Sequence, residues 1–483
     1  MAKTRKNVRE HFDRTRLSDV IVRAMSATTL DLIIIGSGQA GVPLATRLAA
    51  AGKRVVIVER GHAGGTCVNI GCTPTKTLVA SARAAHVART AERLGVHVAN
   101  VQVDFAAVMA RKDGMVKRWR EGVEKHLAGA GKQLELVRGH ARFVAPRRVQ
   151  VGNRAFEAEQ IVINVGARPA LPAIEGLADV PYLTSTSLLA LKQVPARLVI
   201  VGAGYIACEM GQMFRRFGSE VTLVAPSARL LPREDAAMSE ALAGVFQAEG
   251  IELRLGQAVI SASNTDGGIA AQLKDGTRVN GSHLLLATGR RPNTDDLGCE
   301  SGAVEFDGQG AIVVNERYET SQRGVYAVGD CTPGPQFTHV SWDDHRVLFE
   351  TLMGRPARAR GQRLVPYTVF TDPQVAGVGL TAEAARKQGF EVELASMPFG
   401  NVARAIETDE TAGVIQVVLD AKTERVLGAF IVGVDAGELI HVFSTLMASG
   451  ATAQTIVDAE FVHPTFAEGL QTAVMKLPRY ALA

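Results

Sequence analysis

An α/β fold is predicted by three observations in the amino-acid sequence. An apolar run ends in Gly36-Ser-Gly38-Gln-Ala-Gly41 and gives way to an Ala- and Leu-rich stretch. The same grammar recurs at Gly202-Ala-Gly204-Tyr-Ile-Ala207, about 165 residues further on. From about Leu364 the composition changes to Val-rich alternating segments followed by a helical pattern. Together these predict two Rossmann-like dinucleotide-binding domains, each on a doubly wound parallel sheet, and an α+β C-terminal domain.

In chain order, Leu32 to Ile35 reads as a buried strand, Val42 to Ala51 as a helix, and Arg54 to Val58 as a second strand closing at Glu59. Asp104 to Leu127 has the pattern of a long polar helix, and Arg142 to Gly166 reads as strands. Pro169, Pro172 and Pro181 mark a linker. Arg197 to Val201, Cys208 to Phe217 and Glu220 to Val224 form the strand, helix and strand of the second unit. Gly324 to Val328 is a further strand ending at Gly329-Asp330. Gly413 to Leu419 and Arg425 to Gly433 alternate as strands, and Ala436 to Ser449 is helical. The implied division is a basic extension over 1–29, a first unit over 30–180 and 290–361, a second over 181–289, and a terminal domain over 362–483.

Composition narrows the function. A chain of 483 residues that is 47% hydrophobic has material for about three cores and is not disordered. The formal charge of +4 resides in the first 30 residues, and the remainder is neutral. The main body therefore lacks the net basic charge that drives nucleic-acid binding. No apolar run approaches the ~20 residues of a membrane span, and the N-terminus has no continuous apolar stretch before a cleavage site. Five cysteines are too few for a disulfide scaffold. The expectation is a soluble cytoplasmic protein with no nucleic-acid or membrane partner.

A G-x-G-x-x-G turn works by removing side chains. The first glycine permits the turn, the second lets backbone N–H groups approach a pyrophosphate, and the third allows close helix packing. Alone the pattern is weak, but here each copy lies between a strand and a helix. An acidic residue about 20 positions on would hold a ribose hydroxyl. After the first turn that residue is Glu59; after the second, the same count reaches Ala225. A 2′-phosphate would meet no carboxylate there, and Ser227 and Arg229 just beyond are placed to hold one. The second site therefore favours NADP(H) over NAD(H); the competing reading is that Arg229 is a solvated loop residue.

Cys67 and Cys72 stand in Gly64-Gly-Thr-Cys67-Val-Asn-Ile-Gly-Cys72-Thr-Pro-Thr-Lys76. A structural zinc site more usually shows two C-x2-C pairs, and no second pair exists. Pro74 and the Ala-rich stretch after it predict a helix starting near Cys72, where a thiol gains thiolate character. Two thiols closing a small ring at a helix start suit two-electron redox chemistry; two inert buried cysteines are the alternative. Cys208, Cys299 and Cys331 stand singly and read as packing residues.

This cysteine segment resembles the redox motif of the FAD-dependent pyridine nucleotide-disulfide oxidoreductases, which include glutathione reductase, dihydrolipoyl dehydrogenase and mercuric reductase. The resemblance runs from about residue 30 to the end. It includes both glycine turns, Gly329-Asp330 and Phe461-Val-His463-Pro464-Thr-Phe-Ala-Glu468. It implies that Gly36, Gly38, Gly41, Glu59, Thr66, Ala141 and Asp330 contact FAD, with Lys76 beside the flavin and Glu209 its acidic partner. It places NAD(P)H against Gly202, Gly204, Ala207 and Gly289, beside the Ser227 and Arg229 already read from spacing. It makes Cys72 the charge-transfer thiolate, Cys67 the interchange thiol that attacks substrate, His463 the general acid/base and Glu468 the carboxylate orienting it. In this family the His–Glu pair serves the partner's active site, so the resemblance implies a homodimer formed by the C-terminal domain.

Within the family the chain departs from each named branch. Glutathione reductases carry an arginine after the first turn where Thr46 stands, although Arg47 is adjacent. Dihydrolipoyl dehydrogenases keep the acidic residue that is Ala225 here. The segments from Gly329 to Phe337, Leu364 to Pro373 and Ala436 to Ile440 are most similar to mercuric reductases. Those enzymes, however, have a C-terminal cysteine pair and a tyrosine in place of His463. The nearest pattern is the mercuric reductase-like flavoproteins that retain the His–Glu pair. The expected activity is electron transfer from NAD(P)H through FAD to Cys67–Cys72 and on to a small-molecule disulfide. The alternatives are reduction of Hg(II) or Cu(II), dihydrolipoyl dehydrogenase activity, or a redox-sensing subunit defined by its partner.

Overall fold

The structure is a computed structural model that describes residues 30–480. The basic extension over 1–29 lies outside these residues. The first sheet is built on parallel strands in the order Leu134–Arg138, Val55–Glu59, Leu30–Ile35, Arg154–Ile163 and Val325–Ala327. Leu32 to Ile35 and Val55 to Val58 are buried, as expected for strands covered on both faces, and both are continuous β-branched or leucine runs. Arg148–Val151 and Ala141–Ala145 extend Arg154–Ile163 as an antiparallel flap. The chain leaves this sheet after Ile163 and returns to it at Val325, so the first unit is interrupted in sequence but continuous in space.

The intervening residues form a second parallel sheet in the order Glu252–Leu255, Glu220–Ala225, Arg197–Val201, His283–Leu286, Tyr182–Thr184. A three-stranded antiparallel sheet, Val259–Thr265, Gly268–Leu273 and Arg278–Gly281, accompanies it. The two points where the chain crosses between units are tied together, because Ala167–Pro169 pairs antiparallel with Arg290–Pro292. Pro169, read from sequence as part of a linker, thus ends a strand that belongs to this tie. The third sheet is antiparallel: Tyr367–Val369, Gln374–Gly379, Val426–Gly433, Val414–Asp420 and Val392–Pro398. It packs against helices Ala436–Ser449 and Glu468–Met475 around Phe399, Phe443 and Leu470.

Four helices position the site and are labelled here: α1 (Cys72–Thr90), α2 (Phe105–Ala128), α3 (Tyr205–Phe217) and α4 (Thr338–Leu352). Asp104 caps α2, accepting from Ala107 N at 2.9 Å. The apolar face of α2 meets α3 through Phe105, whose ring lies 6.2 Å from Phe214 and 5.7 Å from Phe217. Each such pair contributes ~0.5–1.5 kcal/mol beyond its buried area. Helix α3 starts three residues earlier than the pattern from Cys208 predicted. The last residues of the glycine turn are already helical, so the turn motif hides the first turn of the helix. No described helix is long and apolar enough to cross a membrane.

Candidate active site

Cys67 lies in a one-and-a-half-turn helix, Gly65–Ile70, and Cys72 opens α1. Gly71 between them permits the break: a Cβ there would lie 2.9 Å from the Thr66 carbonyl oxygen. Both sulfurs are free thiols, and neither is exposed. A hydrogen bond between them divides their character. It drives the Cys67 thiol well above the usual range, with burial adding to the effect. It lowers Cys72 to about 6, and the Thr338 hydroxyl and the Lys76 ammonium add to this against burial and Glu209. The pair therefore carries its negative charge on Cys72 at neutral pH. The three other cysteines are buried, and burial pushes Cys299 and Cys331 up to about 12 and Cys208 higher, as suits inert packing groups.

Lys76 lies one helical turn after Cys72. Its ammonium donates to both Glu209 oxygens, at 3.0 and 2.8 Å, and sits 4.7 Å above the Phe370 ring. Glu209 projects from α3, is 3% exposed, and also accepts from Phe370 N at 2.9 Å. A lysine that sequence alone would leave on the surface is thus held in place by a buried carboxylate.

A cleft of about 1110 Å³ gathers most of the remaining site residues from the first unit: Gly36, Gly38, Glu59, Thr66, Ala141 and Asp330, with both cysteines, Lys76 and Glu209. Gly36 has φ +105°, and a Cβ there would lie 2.3 Å from the Asn164 carbonyl oxygen; one at Gly41 would lie 2.2 Å from the Gly36 oxygen. The turn can be made only without side chains at these positions. Glu59 accepts from Ser37 N (3.0 Å), Ser37 Oγ (2.7 Å) and Gly61 N (2.7 Å), which leaves acceptor capacity for a further hydroxyl. Asp330 is pushed up by burial and drawn back by Arg290, whose Nη2 lies 3.4 Å away. The Arg290 Nε is buried and has no partner among the described residues. A glycine floor, a carboxylate at a strand end and an orphaned guanidinium donor beside Asp330 fit an elongated polar group such as FAD.

In the second turn, Gly202 has φ +134° and a Cβ would lie 2.4 Å from the Ala287 oxygen. At Gly204 a Cβ would meet nothing within 4 Å, so that face of the turn is open. Ala207 is fully buried in α3, where this packing admits a methyl group. Ala225 ends its strand, buried. Ser227 Oγ donates to Arg229 O at 2.9 Å, and Arg229 is exposed, with Asp235 and Glu383 as charged neighbours. Gly289 has φ +124°, just before the tie at Arg290.

His463 Nδ1 lies 2.9 Å from Glu468 Oε2. The histidine is 71% exposed, the glutamate 19%. Neither lines the cleft that holds Cys67 and Cys72. Glu468 opens a helix whose packing fixes it, so the carboxylate is the rigid member and the imidazole the presented one. Glu468 Oε1 is buried without a partner among the described residues.

Other residues at the site had no sequence signal. Thr338, first residue of α4, places its hydroxyl 3.1 Å from Cys72 Sγ. Arg290 and Asn164 reach the site from separate strand ends. Tyr205 lines the cleft beside Phe337, and burial raises its phenol to about 12. Arg47, adjacent to the position where glutathione reductases carry their arginine, is instead taken up by Glu350 (3.4 Å) and the Phe349 ring (3.8 Å).

Comparison with known proteins agrees with this geometry. Residues 30–344 match the pyridine nucleotide-disulphide oxidoreductase family, and 365–474 match the dimerisation domain of that family. The chain is 36% identical over 449 residues to a mercuric reductase of Staphylococcus aureus, covering 92% of this chain and 82% of that protein. It is 37% identical over 464 residues to a dihydrolipoyl dehydrogenase of Thermus scotoductus, covering 94% and 98%. Among solved structures it is similar to the HOCl-induced flavoprotein disulfide reductase RclA of Escherichia coli. The TM-score is 0.85 at 34% identity, covering 92% of this chain and 99% of that one. A Cu(II) complex of RclA is equally similar.

Proposed function

The chain belongs to the pyridine nucleotide-disulphide oxidoreductases, and from that premise we propose that it is a cytoplasmic, homodimeric, NAD(P)H-dependent reductase of a small-molecule disulfide. The observation that carries the reading is the placement of Cys67 and Cys72 in one cleft with Lys76, Glu209, Glu59 and Asp330. Residues 30–180 and 290–361 would hold FAD, 181–289 the nicotinamide nucleotide, and 362–483 the contact between copies. Bound FAD would supply two-electron transfer between the nicotinamide and the cysteine pair. Its contacts would be the first glycine turn, Glu59, Thr66, Ala141, Asp330 and Lys76.

The work of the chain's own residues follows from the charges. After reduction, Cys72 holds the negative charge and Cys67 the proton. Deprotonated by His463 of a second copy, Cys67 attacks one sulfur of the substrate; a Cys67–substrate disulfide forms and the other half leaves as a thiolate that takes the proton from His463. Cys72 then attacks Cys67 Sγ, re-forming the intramolecular disulfide and expelling the second thiolate. Glu468 orients the imidazole throughout. The exposed His463 outside its own chain's cleft supports a site completed by two copies. The missing carboxylate at Ala225, with Ser227 and Arg229 beyond it, supports NADP(H) over NAD(H), although the carboxylate neighbours of Arg229 oppose a bound phosphate.

A second reading has the same dithiol reduce a soft metal ion, favoured by the likeness to mercuric reductases and to RclA, which has been solved as a Cu(II) complex. Steady-state turnover with glutathione disulfide, lipoamide, Hg(II) and Cu(II), each with NADPH and NADH, separates the two. Disulfide turnover abolished by Cys67→Ser is the expected result. Turnover with metal ions alone, or a fully active Cys67→Ser protein, would overturn the disulfide reading.

A further inference from the structure

We propose that the Thr338 hydroxyl is a catalytic group of the dithiol: it donates a hydrogen bond to the Cys72 thiolate and stabilises the charge on this sulfur. The proposal rests on the reading of Cys67 and Cys72 as a redox pair and adds a residue to it. Thr338 is 266 residues from Cys72, in the segment that follows the return to the first sheet, and its Oγ1 is 3.1 Å from Cys72 Sγ. A thiolate has no proton to give, so in the charged state the hydroxyl is the donor.

The surroundings hold that hydroxyl in place. Thr338 opens α4 as Cys72 opens α1, so two helix N-termini meet at one sulfur. The start of α4 has no side-chain cap. Both ends carry partial positive charge, which favours an anion between them. The residues flanking Thr338 are locked by stacking. The Phe337 ring lies parallel to Tyr367 (6.1 Å, 4°) and to His339 (5.4 Å, 11°). Tyr367 in turn donates to the buried Glu234. The hydroxyl is therefore presented by a rigid platform reaching into the second and third units.

Other charged and titratable groups act on Cys72 as well: Cys67 and Lys76 favour its ionisation, Glu209 opposes it, and Tyr205 lies near. The test isolates Thr338 from the strongest of them. In a Cys67→Ala background, the full chain is reduced and the rate of iodoacetamide capture at Cys72 is followed against pH by peptide mass spectrometry. Thr338→Val keeps the shape and removes the donor; Thr338→Ser keeps the donor. The expected result is an upward displacement of the midpoint by about one pH unit in the Val protein, roughly a tenfold loss of thiolate below both midpoints, and recovery of the parent value in the Ser protein. If Val does not fold, as judged by circular dichroism, Thr338→Ala takes its place. A midpoint that stays put in the hydroxyl-free protein, or moves equally in Val and Ser, overturns the proposal. The reading beneath it fails separately, through a Cys67→Ser protein that still reduces disulfides.

Discussion

Replacing Lys76 by Met should raise the pH at which Cys72 ionises, whereas replacing Glu209 by Gln should lower it. Lys76 follows Cys72 by one turn of α1, which puts the two side chains on one face with Cβ atoms about 5–6 Å apart. An ammonium about 6 Å from a thiolate, at an effective dielectric of about 20, contributes ~2.8 kcal/mol, or roughly two pH units. Two features reduce this. The Lys76 side chain is 30% exposed, and Glu209 answers its charge at 2.8 Å. The expected displacement for Lys76→Met is therefore about one unit upward from the midpoint of the Cys67→Ala parent, which itself lies above that of the intact pair because the Cys67 hydrogen bond is gone. Glu209 acts in the opposite sense. Its glutamine replacement keeps the volume and still accepts from Phe370 N, so the midpoint should fall by about half a unit. Because Cys72 lies below the usual thiol range, its nucleophilicity is present at neutral pH and lost as pH falls through its midpoint. Alkylation rate against pH in the Cys67→Ala protein reads both displacements. Movement in the same direction for the two substitutions would show that the pair acts on Cys72 only through packing, and the electrostatic argument would fail.

The other expectations concern separate parts of the molecule. His463→Ala should lower steady-state disulfide turnover by ~10²–10⁴-fold while leaving single-turnover oxidation of the nicotinamide unchanged; equal loss in both measurements would remove the acid–base role. Ala225→Glu restores a carboxylate at the end of its strand and should shift the NADPH-to-NADH ratio of kcat/KM toward NADH by about tenfold or more, since like charges would then face each other. An unchanged ratio would place specificity elsewhere. Asp344→Ala removes a 1% exposed carboxylate that accepts from Tyr318 OH (2.7 Å) and Gly329 N (2.8 Å) and pairs with Arg363. A loss of about 3 kcal/mol in urea unfolding is expected, because Gly329 N and Tyr318 OH lose their acceptor and Arg363 keeps only its longer pair with Asp343, at 3.5 Å.

Local patterns were legible where one stretch of chain carries the whole signal. The strand–turn–helix–strand units could be read because β-branched runs, glycines forced into positive φ and a terminal Glu59 all lie within about 25 residues. Helix Ala436–Ser449 and strand Arg197–Val201 have the bounds that periodicity predicted. The start of α1 at Cys72 was marked by Pro74 and the alanines after it. Gly65–Ile70 was not legible, because six residues are too few to show a period.

The sequence alone determined the fold class, the cysteine pair and the carboxylate at Glu59 against the alanine at Ala225, since each depends on residue type at short spacing. Only the tertiary structure decided what meets those residues. It brought Thr338 to Cys72 and Arg290 to Asp330 across separations of 266 and 40 positions. It also spent Arg47 on Glu350 and Phe349, and left His463 exposed outside its own chain's cleft. The physical reason is that a thiol's charge and a lysine's position depend on dielectric and on neighbours within a few ångströms. Such neighbours are supplied by packed helices whose order in space is not their order in the chain.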